Sequence, residues 1–381
     1  MKRLVLSLLL MTFAHWGWAA EPPVRIGVLG PMSGSYANVD KEARQVLTLL
    51  TADINDRGGL LGRKVELVFE DEGESAKTAR AAANRLLGQG IIAVVGPFKS
   101  GSTGSVQAVF SNAGILQIAY GATAISLTEK GLPYFFRTCP RDDEQAKALI
   151  KILRKANLRK VALFHDNSLY GKGLAEAIQD QLNAWMMPPV FYGALAPSQA
   201  DDSGLLEKAR ATAPEVVFFA GYYPEAGRLL QARDRLSWKV PFMGGDGTNN
   251  PGLITVAGTR AAAHFLILSP PNPDQLDNHK TKTFLDRFQQ VYGYRPSSIY
   301  GLLAGNALLA ISESIQEIRS VDSSKAADYL HHRYFKKFGL TGEIFFNSRG
   351  DVVNDLYVLY QVDNQGRFLL KKPFSAGDFR Q

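Results

Sequence analysis

Two short polar segments carry the residue types that could hold a small charged molecule. Ser100, Ser102 and Thr103 follow one β-branched run at the start of a helical pattern, and Gly121-Ala122-Thr123 follow the next such run. Open α/β sheets place ligands at the carboxyl ends of their strands, and free N–H groups at a helix N-terminus suit a carboxylate. The same hydroxyls suit helix caps equally well, so each position taken alone leaves both readings open. Covalent chemistry has no comparable footing. The loop GPFKSGSTG from Gly96 lacks the lysine that a phosphate-binding loop sets before its Ser/Thr, the Gly27 to Gly34 region lacks GxGxxG spacing, and no serine occupies a GxSxG elbow. His331-His332 lies in a Lys-rich helical segment without a second cluster at ligand spacing, and reads as a solvated helix face rather than a metal site. Cys139 reads as a small core residue. Neither an enzyme nor a cofactor is expected.

The elements that must position these residues alternate. Strand-like runs cover Val24 to Leu29, Val65 to Glu70, Ile91 to Val95, Ile115 to Ala119, Val161 to His165, Val216 to Ala220 and Phe265 to Leu268, with helical segments between. That rhythm predicts βαβ units and parallel sheets. From Asp40 to Asp56, Ala43, Val46 or Leu47, Leu50 and Ile54 form one apolar stripe, and Gly58-Gly59 ends the helix. The rhythm exceeds one doubly wound sheet. It breaks around Arg137 to Asp143, where Cys139-Pro140 precedes a new amphipathic helix, and again at Ser269-Pro270-Pro271-Asn272-Pro273. Helical patterns resume from His279 to about Phe335, followed by strand-like Glu343 to Phe346 and Val352 to Val362. Crossings at the two breaks and near Asn347 divide the chain into a first lobe of 21–139 plus 270–346 and a second of 140–269 plus 347–381.

Composition agrees with a two-lobed secreted protein. Lys2 and Arg3, an apolar run from Leu4 to Ala14 and small residues before Glu21 lay out a signal peptide over residues 1–20. Cleavage after Ala20 puts Trp18 at the −3 position, and cleavage after Ala19 puts Gly17 there. A net charge of +7, or +5 once Lys2 and Arg3 are removed, is scattered among acids and indicates no nucleic-acid partner. Cys139 is the only cysteine, so no disulfide forms and no lipid-anchored cysteine follows the leader. A freely diffusing periplasmic protein is expected.

At these residues the sequence resembles the periplasmic branched-chain amino-acid-binding proteins, the leucine/isoleucine/valine receptor family of type I solute-binding proteins. The segments that carry the likeness are RIGVLGPMSG from Arg25, DINDRGGLLGRKVELVFED from Asp53, GPFKSGSTG from Gly96, GATAISLTEKG from Gly121, HDNSLYGKGLA from His165, GYYPEAGRLLQAR from Gly221 and FMGGDG from Phe242. Their order and spacing span nearly all of the mature chain. The likeness implies an α/β protein of two doubly wound parallel-sheet domains joined by a three-strand hinge. It implies a monomer that binds an amino acid between the lobes and delivers it to an ABC transporter permease. The alternative within the same fold is a sensory or regulatory binding protein for amides, urea or small carboxylic acids.

Residue by residue, the likeness gives Ser100 and Thr123 the ligand carboxylate and gives the Gly121 carbonyl the ammonium. Tyr170 and Tyr222 would close over the ligand, Asp246 would pair with the ammonium, and Phe98, Ala122 and Tyr300 would line the side-chain pocket. Three positions depart from the pattern. Asp246 replaces a longer glutamate, Val39 replaces a covering tyrosine with Tyr36 nearby, and Glu74 and Lys99 stand where some members have linked cysteines. A Glu74–Lys99 salt bridge is expected instead.

Overall fold

A computed structural model describes residues 21–196, 201–332, 336–353 and 357–371. The expected signal peptide, Phe335 and the end of the second lobe from residue 372 lie outside them. Among the described residues two large sheets form, each built by the alternation read from the sequence, beside a two-stranded hairpin. The first contains β1 (Val24–Gly30), β2 (Val65–Asp71), β3 (Ala93–Val95), β4 (Leu116–Ala119) and β5 (Phe135–Arg137), all parallel, in the order β2-β1-β3-β4-β5. Helices α1 (Ala37–Asp56), α2 (Ala76–Gly88) and α3 (Ser100–Asn112) connect them. In α1 the expected stripe is buried from Ala43 to Leu50 and half-buried at Ile54, and Gly58 and Gly59 follow it with φ of +97° and +76°. A Cβ on Gly59 would stand 1.9 Å from the Arg63 carbonyl oxygen, so glycine is required there by both backbone and space.

The second lobe carries α4 (Asp142–Ala156), β6 (Val161–His165), α5 (Leu169–Ala184), β7 (Phe191–Ala194), α6 (Ser203–Ala211), β8 (Val216–Ala220), α7 (Tyr223–Arg235), β9 (Phe242–Gly244), α8 (Gly252–Ala257), α9 (Thr259–Ala262) and β10 (Leu266–Ser269). The chain then returns to the first lobe with α10 (His279–Tyr292), α11 (Ile299–Ile318), α12 (Ser323–His331) and a hairpin of β11 (Lys337–Phe338) and β12 (Glu343–Ile344). It ends in β13 (Val358–Val362) and β14 (Phe368–Leu370), which complete a second sheet of order β14-β13-β10-β9-β8-β6-β7. That sheet is parallel except at β13, which pairs antiparallel with both β10 and β14. The continuous helical pattern from His279 resolves into three helices. Gly293 in the left-handed region stops α10, and Ser298 and Asp322 cap the two that follow.

Where the chain leaves the first sheet, a buried network ties the first and third crossings together. Arg137 donates to Asp351 at 2.7 Å, to the Ala122 and Ala124 carbonyls at 3.0 and 2.8 Å, and to Thr128 at 2.6 Å. Arg141 reaches the other Asp351 oxygen at 3.2 Å. The turn at Asn347 to Val352 remains bonded to β5 and Phe346, and the second sheet is joined at Val358. The Ala122 and Ala124 carbonyls thereby hold the loop that carries Thr123.

Candidate functional site

The first-lobe wall is made by the loops after β3 and β4. Gly96 turns with φ +111° where a Cβ would meet the Leu29 carbonyl oxygen at 2.0 Å. Glu72, fully buried at the end of β2, then accepts from the N–H groups of Phe98 at 2.9 Å and Lys99 at 3.3 Å. Burial pushes its carboxyl up to about 8, against those bonds and the nearby Lys99 charge. Ser100 opens α3, and its Oγ accepts from Ala124 N–H at 3.3 Å, joining the two loops. The Thr123 hydroxyl is buried and makes no hydrogen bond among the described residues. Gly121 admits the Phe98 ring, which a Cβ would meet at 2.3 Å.

The second-lobe wall is aromatic and acidic. Asp246, at a 3-10 turn after β9, is 3 % exposed; Tyr170 donates to one of its oxygens at 2.6 Å and Tyr300 to the other. Burial raises its pKa while these donors oppose the shift. Tyr222 stands between Tyr170 and Tyr36, with ring centroids at 5.1 and 5.3 Å, and its N–H donates to Asp166 at 3.0 Å. The two walls touch. Tyr36 donates to the Gly247 carbonyl at 2.8 Å, Tyr223 donates to the Ser35 carbonyl at 2.8 Å, and Tyr300 on α11 reaches across to Asp246.

All nine residues picked out from the sequence, Phe98, Ser100, Gly121, Ala122, Thr123, Tyr170, Tyr222, Asp246 and Tyr300, lie on these facing loops and helix starts. Tyr36 stands against Phe98 with centroids 5.2 Å apart. Val39, one turn into α1, instead lines a cavity of about 460 Å³ with Asn38, Asn250, Ser297 and Ser298. Lys99 Nζ meets Glu74 at 3.1 Å, the ion pair the sequence led us to expect. Four residues were missed: Glu72, Asp142, Gln145 and Asp166. Each is an ordinary polar residue beside a strand end or in a first helical turn, and the only trace of Glu72 is its place just after the VELVFED strand. Cys139 is fully buried, and burial pushes its thiol up, as a core residue requires. Among the described residues no group of His, Cys, Asp and Glu could hold a metal ion, and no helix is long and apolar enough to cross a membrane.

The model of a periplasmic binding protein family matches residues 23–367. The chain belongs to that family. Over 351 residues this periplasmic binding protein is 33 % identical to an amino acid binding protein of Pseudomonas aeruginosa, covering 91 % of each chain. It is 32 % identical over 280 residues to the Leu/Ile/Val-binding protein of Escherichia coli K12, covering 73 % of this chain and 76 % of that one. Among solved structures, the branched-chain amino acid transporter substrate-binding protein LivJ of Streptococcus pneumoniae, in complex with isoleucine, superposes with a TM-score of 0.81. The identity is 26 %, over 92 % of this chain and all of the other.

Proposed function

We propose that this periplasmic binding protein captures a free α-amino acid with an apolar or aromatic side chain between its lobes and presents it to an ABC transporter permease. The observation that carries this reading is the juxtaposition of two unlike walls. Ser100 at a helix start and the unbonded Thr123 hydroxyl offer donors for a carboxylate, and buried Asp246 faces them amid Phe98, Tyr170, Tyr222 and Tyr300. Burying a zwitterion with either charge unpaired costs several kcal/mol, so a site with donors on one side and an acid on the other selects for both charges. The names of its relatives support the same ligand class.

The protein would work as a monomer after loss of residues 1–20. Its first lobe (21–139 plus 270–346) and second (140–269 plus 347–381) would open and close about three crossings. No chemical step is assigned to it. Micromolar binding, about −8 kcal/mol, leaves closure reversible for a transporter. Calorimetry of ligand-stripped protein with leucine, isoleucine, valine and phenylalanine, their amides and amines, urea and small carboxylic acids tests the reading. Free amino acids should bind, and the amides and amines far more weakly, because lost partners strand oriented polar groups. Preference for urea, a simple amide or an amine-free acid overturns it.

A further inference from the structure

Asp142, at the first position of α4, is fully buried, and neither of its carboxyl oxygens makes a hydrogen bond among the described residues. It is not a surface acid caught by chance. The Thr123 hydroxyl and the Asp246 carboxyl act on it from the two walls, and its own charge reaches Tyr170 and Tyr222. Gln145, one turn further along α4, donates through Nε2 to the Leu268 carbonyl at 2.7 Å, but its Oε1 has no donor. Both Asp142 oxygens and Gln145 Oε1 are thus buried acceptors without a hydrogen bond among the described residues, and the nearest donor to Asp142 is the Thr123 hydroxyl, itself unbonded.

The cations nearby are already committed. Arg137 spends its donors on Asp351, Ala122, Ala124 and Thr128, and Arg141 spends its own on Asp351, Asp143, Thr128 and Glu129. The remaining titratable neighbours offer no positive charge. They are Asp143, paired with Arg141; the phenols of Tyr170, Tyr222 and Tyr357; and the Cys139 thiol. Burial raises every one of those phenols and the thiol, which keeps them neutral. Burial and the adjacent Asp246 also raise the Asp142 carboxyl well above the usual carboxylate range. Asp246 differs in having both oxygens already bonded by tyrosines.

We infer that Asp142 holds a proton while the cleft is empty of ligand and yields it to solvent when the ligand's ammonium takes its place, so that capture releases a proton. The inference rests on the amino-acid reading above. An arriving zwitterion adds one carboxylate and one ammonium to a cleft that already has two acids. Exchanging the Asp142 proton for the ammonium gives the orphaned oxygens donors and keeps the net charge there at zero, a neutral carboxyl becoming a carboxylate paired with the ammonium.

The test is calorimetric titration of the mature protein with L-leucine and L-isoleucine near pH 6.5, in buffers of different ionisation enthalpy. Wild-type protein should release close to about one proton per ligand and bind up to about tenfold tighter for each pH unit gained below the Asp142 pKa. Asp142→Asn should abolish both the release and the pH slope and weaken binding about ten- to a hundredfold, the range for a hydrogen bond to a charged group. It also separates Asp142 from Glu72, whose buried carboxyl is pushed up to about 8. Binding whose heat is independent of buffer overturns the inference and leaves the amino-acid reading standing. Proton release that survives in Asp142→Asn also overturns it. Failure of every amino acid to bind removes both. If Asp142→Asn does not fold, Asp142→Ser takes its place in the same buffers, and heat independent of buffer in the wild type still overturns the inference.

Discussion

Two buried aspartates at the lobe crossings have opposite surroundings. Asp351 is held by Arg137 and Arg141, and these charges keep its carboxyl below the usual range despite burial. Asp142 starts the helix that follows the same crossing, has no hydrogen bond to either carboxyl oxygen among the described residues, and is pushed the other way. Burial is common to both. The difference is whether the fold supplies the counter-charge, and it separates a carboxylate that secures the hinge from one left open for a ligand. A buried charge without its partner is expensive, so an unpartnered one that persists in a cleft points to something outside the chain.

Breaking the satisfied side should have the largest effect. Asp351→Ala leaves Arg137 buried without its carboxylate and should cost about 3–5 kcal/mol of stability, read by urea denaturation. The pH dependence has a definite sign. A depressed carboxyl contributes stability that is present above its unfolded value, about 3.9, and is lost as pH falls through its lower folded value. Wild type and Asp351→Ala should therefore converge in strongly acidic solution. An undiminished gap there would erase the contrast between the two aspartates. Asp142, being raised, acts in the opposite sense, its cost growing as pH climbs above the unfolded value toward the folded one.

On the ligand side, Asp246→Asn should weaken amino-acid binding by about 1.5–3 kcal/mol. Tyr170 and Tyr300 would lose a charged acceptor, and the ammonium would lose an acid. Unchanged affinity by calorimetry would move the ammonium away from Asp246 altogether. The smallest effect belongs to the surface pair. Glu74 is 63 % exposed, so Glu74→Gln should change stability by about 0–1 kcal/mol, even though its partner Lys99 precedes Ser100. A larger loss of affinity than of stability would show that this pair orients the Ser100 loop.

Much of the framework was legible along the chain. β6 and β8 match their expected bounds, because short, almost wholly apolar runs between turns pack as buried strands. β5 and β9 are three residues long, too short to display a period, and β13 owes its antiparallel course to the return of the chain. Ser100, Thr123 and Asp246 were visible because strand ends and helix starts can be located by pattern. Tyr36 appeared only as a neighbour of Val39, and its contact with Gly247 depends on the second lobe.

Local pattern thus determined by itself most of the strands and helices, the two-lobed organisation and the polar loops at Ser100 and Thr123, since periodicity and glycine or proline punctuation act over a few residues; the aromatic and acidic positions facing them came from the family likeness. The tertiary structure alone decided what each buried acid does. Asp142, Asp246 and Asp351 are the same residue type, and Glu72 differs by one methylene, yet one binds arginines, one accepts from tyrosines, one holds a loop through backbone N–H groups and one is left unbonded. Those partners lie between 26 and 214 residues away along the chain, and electrostatic environment depends on distance in space, which no local pattern records.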